Sequence, residues 1–263
     1  MSDFLQGMAT SSAARAAHAP SFTAADFDKP IVPLDPGPFG VIAEIKRRSP
    51  AEGPLDPAAE IGTSYLISRA QAYAAGGAAA ISVLTEPSRF DGELAHLEDV
   101  AAALPDTPVM RKDFLVDPVQ VLEARKAGAS GVLLIAAMLD DAKLRTMLDC
   151  AWEHDMFVLL ESFDEEDLRR SAPFLDGGGQ LLIGVNTRNL RTLEVDADRL
   201  RNLAPKLPEA ICVAESGLHE PEDAARVARW GYSMALVGTA LMRSDDPTEL
   251  VAGMTSAGAA ACS

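Results

Sequence analysis

From residue 41 onward, short aliphatic or β-branched runs alternate with longer amphipathic segments. The runs at 41–46, 79–85, 108–114, 131–138, 157–163, 181–186, 211–217 and 234–240 each predict a strand. The segments between and after them, 57–76, 92–104, 117–128, 140–154, 164–174, 196–205, 220–231 and 246–257, predict helices. Helix boundaries are marked locally. Asp117-Pro118 and Glu220-Pro221 put proline in a first turn, and Asp164-Glu165-Glu166 puts acid at the positive end of a helix dipole. Gly76-Gly77, Gly128 and Gly231 supply the stops. Upstream, the alanine-rich residues 4–18 predict one more helix, and the proline-rich residues 19–39 a loop leading into the domain. No comparable linker follows. Residues 1–263 therefore read as one domain, with 1–40 as a helix and loop covering one end of it. Eight strand–helix repeats predict α/β architecture, a closed (β/α)8 (TIM) barrel with an N-terminal helical extension; a doubly wound sheet is the alternative.

Parallel strands covered on both faces should read as unbroken apolar runs, and most of these do. The breaks fall at their C-terminal ends, where barrel enzymes keep their active sites. The first strand supplies Glu44 and Lys46, the third Lys112, the fifth Glu161, the sixth Asn186 and Arg188, the seventh Glu215 and Ser216, and the eighth Gly238 and Thr239. Alternation puts Glu44 and Lys46 on one face, and likewise Asn186 and Arg188. Singly, each has a structural explanation: an ion pair between Glu44 and Lys46, a surface pair between Lys112 and Asp113, a helix cap at Glu161. Together those explanations would have to coincide at one end of five strands. Charge at a barrel mouth is costly unless paired, so the pattern predicts a paired constellation kept for chemistry. Arg111 neighbours Lys112 and must point the other way, toward the helix layer or solvent. Burial lowers a lysine pKa and nearby carboxylates raise it; with three carboxylates expected nearby, Lys112 is predicted to be an ammonium acid. Glycine-containing turns after the seventh and eighth strands, Ser216-Gly217 and Gly238-Thr239, predict a phosphate site.

Composition narrows the partners. The chain has 263 residues, is 48% hydrophobic and carries a net charge of −16, which disfavours nucleic acid and anionic membrane surfaces. Its longest clearly apolar stretch, 131–139, is too short to span a bilayer, and the first residues lack the basic and apolar regions of a secretory signal. Cys150, Cys212 and Cys262 are few and far apart, which argues against a disulfide framework or zinc site and for a reducing cytoplasm. The four histidines show no metal-ligand spacing and are expected on the surface or at helix ends.

The segments AEIKRRSPAEG (43–53), ISVLTEPSRFDG (81–92), PVMRKDFLVDPVQVLEARKAGASGVLLI (108–135), LIGVNTRNLRTLEVD (182–196), ESGL (215–218) and ALVGTALMR (235–243) resemble the indole-3-glycerol phosphate synthase family of tryptophan biosynthesis. The resemblance runs from about residue 41 to 243. It implies a carboxy-lyase that converts 1-(2-carboxyphenylamino)-1-deoxyribulose 5-phosphate to indole-3-glycerol phosphate, carbon dioxide and water. By resemblance, Lys112 is the acid on the ketone oxygen, and Glu161 and Lys46 serve dehydration. Glu44, Asn186, Arg188, Glu215 and Ser216 orient the substrate. Ser216, Gly217, Gly238 and Thr239 hold the phosphate, with Lys46 nearby. Ser49 joins the substrate-binding candidates on the loop after Lys46, where Arg47-Arg48-Ser49-Pro50 could form a lid. Phe90 and Phe114 suit either a wall for the aromatic ring or ordinary packing. No step needs a redox cofactor or a metal. The expected protein is a cytoplasmic monomer, open to weak association with other tryptophan-pathway enzymes.

Some positions depart from the family pattern. Asn186-Thr187-Arg188 stands where the family commonly reads Asn-Asn-Arg, and alternation should turn Thr187 away from the mouth. Ser162-Phe163 replaces Val-His, and Thr239 replaces a more usual glutamate or serine. Competing readings are a phosphoribosylanthranilate isomerase-like enzyme, a class I aldolase using Lys112, and a non-catalytic phosphosugar-binding barrel. The first needs a Cys–Asp or Asp–Asp pair, which the predicted mouth lacks.

Overall fold

The computed structural model describes residues 3–49, 53–55, 63–190 and 195–262. Eight parallel strands close into a barrel in chain order. They are β1 (Gly40–Ile45), β2 (Ala80–Leu84), β3 (Val109–Lys112), β4 (Gly131–Ile135), β5 (Phe157–Ser162), β6 (Leu181–Asn186), β7 (Ile211–Glu215) and β8 (Met234–Val237). The last strand closes on the first, with Gly40 opposite Met234 and Val41 opposite Ala235. Nearly every strand residue is buried, as expected when helices cover one face and the packed interior the other. Each strand is equal in length to or shorter than its predicted run, and the polar residues Glu44, Lys112, Glu161, Asn186 and Glu215 are paired within the strands, at or next to their C-terminal ends.

The outer layer is built from α2 (Thr63–Ala75), α3 (Pro87–Phe90), α4 (Leu94–Ala103), α5 (Pro118–Ala127), α6 (Asp141–Trp152), α7 (Glu165–Ser171), α8 (Arg199–Leu203), α9 (Pro221–Arg229), α10 (Thr239–Arg243) and α11 (Pro247–Ala261). The predicted start of the 57–76 helix and Pro50 of the predicted lid lie outside the described residues. Two one-turn helices, α3 and α10, escaped the sequence reading. α3 exists because the Glu86 carboxylate accepts from the N–H groups of Ser88 (2.9 Å) and Arg89 (2.7 Å), with Pro87 in the first turn. α10 starts one residue after Gly238, where the sequence pattern continued a strand to 240. His96 is a helix-end histidine but a buried one: its Nδ1 accepts from Glu93 N–H at 3.1 Å in the first turn of α4.

The N-terminal helix, α1 (Asp3–Ala16), presents Leu5, Met8 and Ser12 to the barrel, all buried and spaced to share one face. Three contacts tie it to the segment after β3. Phe4 meets Phe114 edge-on at 5.9 Å. Ser12 Oγ accepts from Gln120 Nε2 at 2.8 Å. Arg15 donates twice to Asp113, both at 2.7 Å. The following loop is held by Val32 N–H to Ser130 Oγ (3.0 Å) and Gln180 Nε2 to Leu34 O (3.1 Å). Among the described residues, no helix is long and apolar enough to cross a membrane.

Candidate active site

The C-terminal strand ends converge on one cavity of about 620 Å³. Every site candidate taken from the sequence lines it: Glu44, Lys46, Ser49, Phe90, Lys112, Phe114, Glu161, Asn186, Arg188, Glu215, Ser216, Gly217, Gly238 and Thr239.

At its floor, Lys112 Nζ lies 3.2 Å from Glu161 Oε2 and 3.4 Å from Glu215 Oε2. Both carboxylates have side chains about 1% exposed. Lys112 therefore pairs across the barrel and not with Asp113, and Glu161 does not cap a helix; that task belongs to Asp164, which accepts from Asp167 N–H at 2.9 Å. Burial opposes the lysine's charge, but Glu161, Glu215 and Glu44 outweigh it and raise its pKa above the ordinary lysine value. Burial also pushes the Glu215 carboxyl up to about 8; Lys112 draws it down and the Glu161 charge pushes it up again. The two shifts have one physical origin: the acidic cluster keeps Lys112 an ammonium, while burial raises the Glu215 carboxyl toward neutrality. Glu161 Oε1 and Glu215 Oε1 have no hydrogen-bond partner among the described residues, which leaves acceptor capacity in the cavity.

A second ion pair stands across the mouth. Lys46 Nζ meets Glu44 Oε1 at 2.7 Å, with both side chains mostly buried. The structural explanation for this pair and the cavity-lining one hold together, since both side chains also line the cavity. Beside it the chain turns sharply at Ser216 (φ +68°) and Gly217 (φ +74°), both left-handed. That turn lets Ser216 Oγ donate to Asn186 Oδ1 at 2.8 Å, while Arg188 N–H donates to the same oxygen at 2.9 Å. A left-handed serine costs roughly 1–3 kcal/mol, a strain typical of functional turns. Gly238 lies beside Lys46: a Cβ built there would come within 2.9 Å of Nζ.

Behind Lys112 lies a buried polar layer. Asp113 is held by Arg15, by Thr85 Oγ1–H (2.8 Å), by Arg111 (3.2 Å) and by Phe114 N–H (2.8 Å). Arg111 faces the helix layer, as expected, and not solvent; it also reaches Gln120 O (2.9 Å) and Glu123 (3.1 Å). Burial would raise the Asp113 carboxyl, but Arg15, Arg111 and Thr85 together hold it down at about 2. Asp113 contributes to the cavity lining while its carboxylate stays engaged on the far side. Thr187 also lines the cavity, against the alternation argument, because β6 ends at Asn186 and alternation ends with it.

The apolar wall contains Phe90 and Phe114, 6.1 Å apart and tilted at 34°. The sequence reading missed several of its other members. Phe4 comes from α1, and Leu84, Leu133, Ile135, Leu190 and Leu236 are aliphatic residues with no polar signal to single them out. Arg89 on α3 and His219 after β7 add polar lining.

The model of the indole-3-glycerol phosphate synthase family matches residues 13–254. The chain belongs to the indole-3-glycerol phosphate synthase family. Similar relatives bearing that name include one from Nocardioides sp. (strain ATCC BAA-499 / JS614), 48% identical over 234 residues and covering 85% of each chain. Another, from Parafrankia sp. (strain EAN1pec), is 47% identical over 223 residues, 83% of this chain and 78% of the relative. Among solved structures, 3-hexulose-6-phosphate synthase from Salmonella typhimurium superimposes with a TM-score of 0.62 at 14% identity, covering 85% of this chain and all (100%) of that one. Tryptophan synthase subunit alpha from Legionella pneumophila str. Paris gives 0.58 at 16% identity, covering 84% and 92%. At such identities these two share the barrel alone. For an indole-3-glycerol phosphate synthase, the departures at Thr187 and Thr239 fall within the cavity lining, whereas Ser162 and Phe163 are buried away from it.

Proposed function

We propose that this cavity carries out the indole-3-glycerol phosphate synthase reaction: 1-(2-carboxyphenylamino)-1-deoxyribulose 5-phosphate becomes indole-3-glycerol phosphate, carbon dioxide and water. The observation that carries the residue assignment is the ammonium of Lys112 set between the buried Glu161 and Glu215 side chains at the barrel mouth. The acidic neighbours keep Lys112 protonated, so the proton that the reaction needs is in place at its ammonium. Lys112 protonates the ketone oxygen as the aromatic carbon bearing the carboxylate attacks the ketone carbon. The carboxylate then leaves as CO2, and its bonding electrons return to the ring. Dehydration follows: Lys46 protonates the departing hydroxyl, and Glu161 accepts the proton lost from the new ring. Proton transfers of this kind contribute roughly 10²–10⁴-fold each.

Glu44, Asn186, Arg188, Ser49 and Glu215 orient the substrate, with Phe90 and Phe114 against its aromatic ring. The phosphate sits on Ser216, Gly217, Gly238 and Thr239 beside Lys46. In a protein of net charge −16, Lys46, Lys112 and Arg188 supply the local positive potential that a doubly anionic substrate requires. The chain works as one barrel domain, with residues 1–40 closing over the mouth; Phe4 in the cavity lining and the Arg15–Asp113 pair support this. We place the enzyme in the cytoplasm as a monomer, with at most weak association with other tryptophan-pathway enzymes. Indole fluorescence developing from the purified substrate, without added metal, tests the activity.

A further inference from the structure

We propose that Gly184 is a positioning residue for Glu215: the missing side chain at this point of β6 is what lets the Glu215 carboxylate lie against Lys112. The inference rests on the reading of the site given above and extends it to a residue with no chemistry of its own.

Gly184 is buried in the middle of β6, opposite Glu161 on β5 and Val213 on β7. Glycine weakens a strand interior, and its backbone here is not left-handed, so conformational freedom does not account for it. Space does. A Cβ on Gly184 would point into the barrel and collide with Glu215 Oε1, with Glu215 Cδ at 3.2 Å and Leu159 Cδ1 at 3.1 Å. Glu215 is the last residue of its strand pairing, opposite Asn186, and its side chain leans back over Gly184 to reach Lys112 at 3.4 Å. The colliding atom is the far end of a flexible side chain, not backbone. An alanine would therefore be accommodated by the barrel and would displace the carboxylate. The same relation recurs at Gly238, where a Cβ would meet Glu44 Oε1 and Lys46 Nζ. Each of the two ion pairs in the mouth thus has a strand-end or strand glycine behind one carboxylate.

The test is a double-mutant cycle on indole formation with Gly184→Ala, Glu215→Ala and the double variant. A misplacement of about 1 Å costs on the order of 10²-fold in rate. Gly184→Ala should lower kcat by roughly 10–100-fold, with KM changed less than about 3-fold and the melting temperature nearly unchanged. In the Glu215→Ala background the carboxylate is gone, and the same substitution should change kcat less than about 2-fold. Wild-type kcat in Gly184→Ala, or an equal loss in both backgrounds, would overturn the proposal. If Gly184→Ala fails to fold, recovery of folding in the double variant supports the collision, and failure of both sinks it. A second readout needs no turnover: acetylation of Lys112 at pH 8, followed by peptide mass spectrometry. It should be faster in Gly184→Ala, since a displaced carboxylate no longer holds the ammonium; an unchanged rate counts against the role. Should the wild type form no indole product, the proposed function fails, and the acetylation comparison still decides Gly184.

Discussion

Replacing Arg15 with alanine removes one of the three contacts that join α1 to the segment after β3, the ion pair to Asp113 next to Lys112. Asp113 is fully buried, and its pKa falls from an ordinary 3.8 to about 2. A shift of that size corresponds to about 2.5 kcal/mol of stability at pH 7. The sign follows from the direction. A depressed carboxylate stabilises the fold above its unfolded pKa, and this is lost as pH falls through the folded value; by pH 3 about half remains. Arg15 shares the task with Arg111 and Thr85 and is itself partly exposed, so its removal should cost about 1–2 kcal/mol at pH 7. Urea unfolding of wild type and Arg15→Ala at pH 7 and pH 3, under matched salt, measures it. The midpoint should fall at pH 7 with the m-value unchanged, and the gap should narrow by roughly half at pH 3. Equal stabilities at pH 7, or a gap that ignores pH, would refute the reasoning.

Glu215 should have the opposite pH dependence. Its folded value of about 8 lies above the ordinary 4.5, so wild-type stability is eroded as pH rises through that window. The melting temperature of Glu215→Gln should therefore gain on wild type between pH 5 and 8 and level off beyond; a constant difference would contradict the assignment. Lys112 does not confound this, since its raised pKa keeps it charged throughout the window. Gly238→Ala should press on Lys46 and Glu44 and weaken competitive inhibition by inorganic phosphate by ~10-fold, about 1.4 kcal/mol. An unchanged inhibition constant would remove Gly238 and Lys46 from the phosphate site.

The barrel was legible because parallel strands buried on both faces leave an apolar run, and because the exceptions to those runs are the chemistry. Lys112, Glu161 and Glu215 stood out as charges where Val or Leu belonged, and alternation told Arg111 from Lys112. What alternation could not reach lay just past strand ends. Thr187 follows the last residue of β6 and enters the cavity lining, and α10 begins where the pattern still read as strand. α3 is set by a glutamate cap, a residue type weak in that role and easily passed over. Contacts across 98 residues, such as Arg15 with Asp113, have no local signature at all. Apolar lining residues such as Leu133 and Phe4 look like any core residue, since only the closed barrel decides which of them face the opening. Gly184 is of the same kind: a glycine in a strand is visible, but the carboxylate that needs its space comes from the next strand.

The most direct measurement is single-turnover indole fluorescence with purified substrate, comparing wild type with Lys112→Ala. The account predicts ring closure by the wild type. It predicts a loss of at least ~10³-fold in the variant, within the range for a proton-transfer group, with substrate affinity falling only modestly. Undiminished ring closure in Lys112→Ala would contradict it.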